Sequence, residues 1–335
     1  MDADAFLTAW RERLRDRLRD TGTRSGDVAA ALHLSESSLR KRFRGEVPFS
    51  AGEFVTLCDA YDLPRGPRDL GDRRFGFRAI EAPSDGFSEA AYVEGLTGFS
   101  RVLLPDGRDG SAVSFRACAS DLPIHRLLGD PVLMAVKFYF FRTRNGVAIA
   151  ERFDLAAARE THADALAKAA RIHDEYAATD SVEVWGRNPI GSFLHQIKKL
   201  AWAHALNAPD LAEVFARLRA LADAIGAEAD AGKKAGGGAF RLYQNRVFTN
   251  NAIFLAEAPG QRHTFLTVAN PHYLHSDDPE TFAFFEATVE ALREQSEHVG
   301  ASGTLDGTHL TRALRRDIDR VEEAIATYWR AEAMF

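Results

Sequence analysis

Residues 24–63, RSGDVAAALHLSESSLRKRFRGEVPFSAGEFVTLCDAYDL, constrain the chain more than any other stretch. Apolar residues recur there at helical spacing, and polar residues punctuate them. The pattern predicts a helix over 25–32, a tight turn at His33-Leu34-Ser35, a second helix over 36–44, and a third behind it. Ser35 stands where an N-cap is needed, because a serine hydroxyl accepts a free backbone N–H of the first turn. Gly45 stands where a helix ends, since glycine tolerates the left-handed conformation. Ala29, Leu32, Leu34, Leu39 and Phe43 are spaced to face one another. Glu36, Ser37, Arg40, Lys41 and Arg44 fall on the opposite side of the second helix. One face of that helix is therefore apolar, and the other is cationic and rich in hydrogen-bonding groups. A helix of this kind, held across another by a short turn, is what the DNA major groove admits.

Charge decides where such a contact can lie. The 335 residues carry a net charge of −6. Residues 1–75 hold 14 Lys+Arg against 13 Asp+Glu, and the remainder holds 28 against 35. The whole chain is no general polyanion binder, so any nucleic-acid contact must come from a local patch. The run Arg40-Lys41-Arg42 with Arg44 is the densest one. Two cysteines, Cys58 and Cys118, have no partner at metal-ligand spacing, which argues against a disulfide framework or a zinc cluster. No signal peptide and no run that would span a bilayer is evident, so a cytoplasmic setting is the expectation.

The stretch resembles the helix-turn-helix of lambda-repressor-like (Cro or XRE-type) regulators, over about the first 65 residues. Ala29 stands at the small-residue position where the two helices cross, Leu34-Ser35 at the turn, and Leu39 at the buried position of the recognition helix. Gly45, Pro48, Leu57, Ala60 and Leu63 follow the family's continuation into the next helix. Two residues depart from the pattern. The turn carries His33 in place of glycine, and Phe43 stands where glutamate is common. A left-handed histidine costs some stability. SESSLRKRF is also similar to AraC-type recognition helices, but the proline and the following helix favour the repressor type. The resemblance implies DNA binding. Arg40, Lys41 and Arg44 would contact phosphate or guanine. Glu36, Ser37 and Ser38 would face base edges, the capping Ser35 belongs to the same DNA-binding set, and Arg24 and Ser25 would hold the DNA backbone.

The rest of the chain reads as a larger, helix-rich α+β body. Residues 3–20 form an amphipathic helix with Phe6, Trp10, Leu14 and Leu18 on one side, completing a domain over 1–65. Residues 66–86, rich in Pro, Gly and Arg, read as a linker, and the α+β region covers 87–335. A helix is expected over 88–103, a strand over 111–119, and a buried helix over 130–142 with Asp130 as cap and Pro131 in its first turn. One alanine-rich helix is expected over 154–178, then a loop from Trp185. Two more helices are expected over 190–206 and 209–228. The glycines of 233–239 read as a flexible break that divides this region into two subdomains. Strands are expected at 240–243, 252–257 and 263–268, with Pro259-Gly260 as a hairpin turn, and helices at 279–295 and 308–331.

Candidate chemistry is sparse. HYLHSDD, with His272, His275, Asp277 and Asp278, has residue types that bind metals, but reads more simply as a loop capping a helix. Asp121 and His125 suggest an acid–base pair without a nucleophile or phosphate loop. Trp185, Tyr243, His263 and His272 are candidates for the polar groups of a ligand pocket. No metal, cofactor or catalytic motif is expected. The sequence therefore points to a transcriptional regulator that binds double-stranded DNA as a homodimer, with an unidentified effector and no membrane partner. Two alternatives stand beside it: a protein-interaction scaffold using the helical hairpin, and an enzyme fused to a DNA-targeting module.

Overall fold

A computed structural model describes residues 3–61, 63, 78–79, 88–103, 114–144, 153–246, 252–258, 260–269 and 272–332. The chain divides into two compact units, Met1–Arg74 and Phe75–Phe335. The division falls within the stretch read as a linker, most of which lies outside the described residues, as do Pro259 and the start of the strand expected from residue 111.

The described elements of the first unit are helices: α1 (Ala3–Asp20), α2 (Ser25–Ala31), α3 (Glu36–Arg44) and α4 (Ala51–Tyr61). Trp10 and Leu14 of α1, Val28 and Ala29 of α2, Leu39 of α3 and Leu57 and Cys58 of α4 form one buried cluster. Each fully buried Leu or Val contributes about 1.5–3 kcal/mol by leaving water. The Trp10 ring meets Phe54 at 4.8 Å and the edge of Phe49 at 5.5 Å between centroids. The Phe6 side chain lies outside the described residues.

The second unit is built on a mixed sheet of order β1-β7-β6-β5-β2-β3-β4-β8. Its strands are β1 (Arg78–Ala79), β2 (Ser114–Ala119), β3 (Asp180–Trp185), β4 (Phe240–Gln244), β5 (Ile253–Ala258), β6 (Gln261–Ala269), β7 (His272–Ser276) and β8 (Glu297–Val299). The fold is α+β. Strands β2, β3 and β4 run parallel, and helices make the crossovers that parallel neighbours require. Strands β5, β6 and β7 form an antiparallel meander, with Gly260 at φ 74° in the β5–β6 turn. The remaining helices are α5 (Glu89–Leu103), α6 (Pro131–Arg144), α7 (Leu155–Thr161), α8 (Ala163–Ala178), α9 (Gly191–Trp202), α10 (Ala208–Ala231), α11 (Pro279–Glu294) and α12 (Gly307–Glu332). Asp130 caps α6 by accepting the Val132 and Leu133 N–H groups at 2.9 and 3.0 Å.

Side-chain alternation sends the residues of the central strands to opposite faces of the sheet. Cys118, Val184, Ile253 and Leu255 meet Phe282 and Val289 of α11. Trp185, Phe240 and Leu242 join the larger helical core. Helices α10 and α12 pack side by side, with Leu310, Leu314, Ile318 and Ile325 as the buried stripe of α12. Glycines permit the closest approach: a Cβ on Gly307 would stand 2.0 Å from the Gly226 carbonyl oxygen.

Four expectations are corrected. The helix expected over 154–178 is two, broken at His162, whose φ of −104° and ψ of 19° interrupt the helical path. Trp185 ends strand β3 and does not open a loop; the polar Asp180, Ser181 and Glu183 hide that strand in the sequence. HYLHS is strand β7, bonded to β6 on one side and β1 on the other. The glycines at 236 and 238 mark close packing, not flexibility. A Cβ at Gly238 would stand 2.3 Å from the Thr179 carbonyl oxygen, and the Gly238 N–H donates to the Ala177 carbonyl at 3.1 Å. Residues 233–239 lie inside the compact unit 75–335.

Candidate nucleic-acid interface

The α2–α3 turn follows from local hydrogen bonds. The His33 N–H donates to the Ala30 carbonyl and the Leu34 N–H to the Ala29 carbonyl, at 3.1 and 2.8 Å. This is the left-handed closure that satisfies the last carbonyls of a helix, with Leu34 folded back on the apolar side. His33 occupies its left-handed position at φ 52°. For a residue with a Cβ that conformation costs about 1–2 kcal/mol, partly offset by glycine's greater freedom when unfolded. His33→Gly is therefore expected to stabilise the first unit by about 0.5–1 kcal/mol, read as slower hydrogen exchange of the α2 and α3 amides. Faster exchange would contradict the strain assigned to His33.

Ser35 caps α3, its hydroxyl oxygen accepting the Ser38 N–H at 3.2 Å. The same hydroxyl lies 3.0 Å from the Ser37 oxygen and donates to that of Ser38 at 2.9 Å. The far end closes the same way as α2. Gly45 has φ 79°, with its N–H donating to the Arg42 carbonyl and that of Glu46 to the Lys41 carbonyl, both at 3.0 Å. Arg15 of α1 donates to the Phe43 carbonyl at 2.6 Å, placing a cation at the negative end of the helix. Phe43 itself packs edge-on against Phe49. Phe43 thus belongs to the aromatic cluster of the first unit.

The cations of α3 divide by partner. Arg42 turns inward and binds Glu53 of α4 at 2.8 Å, with both side chains largely covered. Glu53 also accepts the Ser50 N–H at 2.7 Å. Burial pushes its carboxyl up, but the Arg42 guanidinium and the Ser50 N–H outweigh that and hold it below its usual pKa. Arg42 is thereby a brace between α3 and α4. Arg40, Lys41 and Arg44 are exposed. Arg40 pairs with Glu36 at 3.1 Å and Arg44 with Glu46 at 2.7 Å, both in solvent. Such pairs are weak and screened by salt, so phosphate can displace them. Lys41 has no ion-pair partner among the described residues. Arg24 and Ser25 are exposed at the start of α2, with the Arg24 N–H 3.3 Å from Asp27.

Among the described residues, Trp185, Tyr243 and His263 do not converge on one pocket. Tyr243 pairs in register with Val184, one residue from Trp185, so it faces α11 while Trp185 faces the opposite core. His263 lies 2.9 Å from His275, ring nitrogen to ring nitrogen. Burial lowers the His263 pKa, and the Asp277 charge partly restores it. The His272 side chain lies outside the described residues. Asp278 is the N-cap of α11, accepting the Thr281 N–H at 2.7 Å. No group of three metal-binding side chains occurs among the described residues. Asp121 and His125 do not form a pair: Asp121 has Ser192 and Lys137 as neighbours, whereas His125 is walled by Phe115, Tyr176 and Phe254.

A buried charge cluster in the second unit is invisible as a motif. Glu183 of β3 is fully buried and accepts from the Tyr176 hydroxyl, from Ser181 at 2.9 Å and from the Trp185 indole at 3.0 Å. Arg126 reaches Glu228 and stands 3.6 Å from Glu183, its guanidinium carbon 4.3 Å from the Phe240 ring centroid. Burial works against that guanidinium, but Tyr176, Glu183 and Glu228 raise its pKa and keep it charged. Lys234 donates to the Tyr176 carbonyl at 2.6 Å, and burial pushes its pKa down to about 8. His125 is pushed down to about 3 by burial and by the neighbouring Lys234, His173 and Arg126. Two cations balance two carboxylates here, and Arg126, Glu183 and Lys234 are buried. The one sequence signal was an acid inside the apolar alternation of SVEVW.

No helix among the described residues is long and apolar enough to cross a membrane. No family model matches the chain, and no curated protein or solved structure matches it either.

Proposed function

We propose that this chain is a transcriptional regulator that binds double-stranded DNA sequence-specifically through the outer face of α3. It acts in the cytoplasm as a homodimer on a palindromic site, with the second unit providing dimerisation. One observation carries this reading: α3 buries Leu39 completely while Arg40, Lys41 and Arg44 stand exposed on its other side, between two tightly closed ends. That is a rigid cationic helix face of groove width, on a chain whose net charge is otherwise negative. Lys41 and Arg44 supply phosphate or guanine contacts, Arg40 joins them on leaving Glu36, and Ser37 and Ser38 face base edges near the helix start. Arg24 and Ser25 hold the adjoining backbone.

A single small module reads few base pairs, so two copies are needed for useful specificity. Selection of bound duplexes from a random pool is expected to enrich a palindrome whose half-site centres lie about 10 base pairs, roughly 34 Å, apart. A pool that stays random after repeated rounds would refute sequence-specific binding.

A further inference from the structure

The outer face of α12 carries a charge pattern that fits a second copy of itself. Along one stripe stand Arg312, Arg316, Asp319 and Glu323, all exposed, at intervals of four, three and four residues. That spacing keeps side chains on a single helical seam. The sign changes once, between Arg316 and Asp319. The same four residues line an open concavity of about 630 Å³. Arg312, Arg316 and Glu323 have no ion pair among the described residues, although their neighbours do: Arg315 binds Asp223, and Arg320 lies 3.2 Å from Asp317. Asp319 is shared with Arg219 at 2.7 Å.

We propose that two copies of this chain associate through this face, with their α12 helices antiparallel about a twofold axis between Arg316 and Asp319. That axis sets Arg312 against Glu323 of the second copy and Arg316 against Asp319 of the second copy, each pair occurring twice. A parallel arrangement would set like charge against like. Nucleic acid is the poorer occupant, because Arg315 and Arg320, which also line the groove, are already paired with Asp223 and Asp317, and phosphates beside Arg312 and Arg316 would meet Asp319 and Glu323. The buried stripe Leu310, Leu314, Ile318 and Ile325 faces the protein's own core, so the seam stands on the opposite side of α12, with Asp319 alone of its four residues tied to another helix, through Arg219, among the described residues. This inference rests on the homodimer of the proposed function and names its surface.

Sedimentation equilibrium of the full chain tests it. The parent is expected to dimerise, and more weakly as salt rises. Arg312→Glu sets two carboxylates against each other, and Glu323→Arg sets two guanidiniums against each other. Each change is expected to raise the dimer dissociation constant roughly tenfold or more. The double variant Arg312→Glu/Glu323→Arg restores opposite signs and is expected to return to within about threefold of the parent. A monomeric parent, single variants that dimerise like the parent, or a double variant that fails to recover would each overturn the proposal. A gel-shift titration on one half-site separates the two readings. Half-site binding by a chain that fails the dimer test leaves the α3 reading standing, and a dimer that ignores DNA removes the α3 reading alone.

Discussion

Glu183→Gln is expected to destabilise the second unit by about 3–5 kcal/mol. The substitution keeps the shape of the side chain, so no cavity contributes. It removes the charge opposite Arg126 and offers the Tyr176, Ser181 and Trp185 donors an amide in place of a carboxylate. The amide oxygen can accept some of those bonds, but its NH₂ group then points at other donors. Arg126 keeps Glu228, while Lys234, still buried, loses its largest compensating charge. Breaking a buried ion pair from one side is costly because the remaining charge cannot reach water. Urea denaturation followed by tryptophan fluorescence reads the loss, with Trp185 reporting from beside the site. A change under about 1 kcal/mol would contradict the role of Glu183 as the counter-charge of Arg126 and Lys234.

Lys41→Ala together with Arg44→Ala is expected to abolish specific DNA binding. Two lost contacts at about 1–3 kcal/mol each correspond to at least a roughly thirtyfold loss of affinity in a gel-shift titration. The same pair should leave thermal stability nearly unchanged, because both side chains are exposed and the Arg44–Glu46 pair lies in solvent. Arg42→Ala provides the contrast. It removes the brace to Glu53, so it should loosen the packing of α4 against α3 before it affects any DNA contact. Affinity retained in the Lys41/Arg44 variant would place the reading face elsewhere.

The first unit was legible because its determinants are local. The Ser35 cap, the left-handed closures at His33 and Gly45 and the inward set Ala29, Leu32 and Leu39 each act within a turn or two of their own position. A window of a dozen residues contains each of them in full. The role of Arg42 was not legible, because its partner Glu53 lies on another helix and the string RKRFR does not distinguish inward from outward cations. In the second unit the helices, apart from the break at His162, and the β5–β6 hairpin showed through their periodicity. Strands β3 and β7 did not, because Glu183 and His275 look like surface residues until Arg126 and His263 are brought to them. The glycines before β4 misled for a related reason. Glycine signals both freedom and close approach, and only the neighbouring Thr179 backbone distinguishes the two.

The contact between the outer face of α3 and the DNA backbone is tested most directly by the salt dependence of binding. The association constant of the full chain for its selected duplex would be followed across salt concentration, for the parent and for Lys41→Ala. Each phosphate contact neutralised by a cation steepens the logarithmic slope by about 0.9. A steep parent slope that becomes shallower by about one unit in Lys41→Ala, with the melting temperature unchanged, is the predicted result. A flat parent slope, or a slope that Lys41→Ala leaves unaltered, would contradict it.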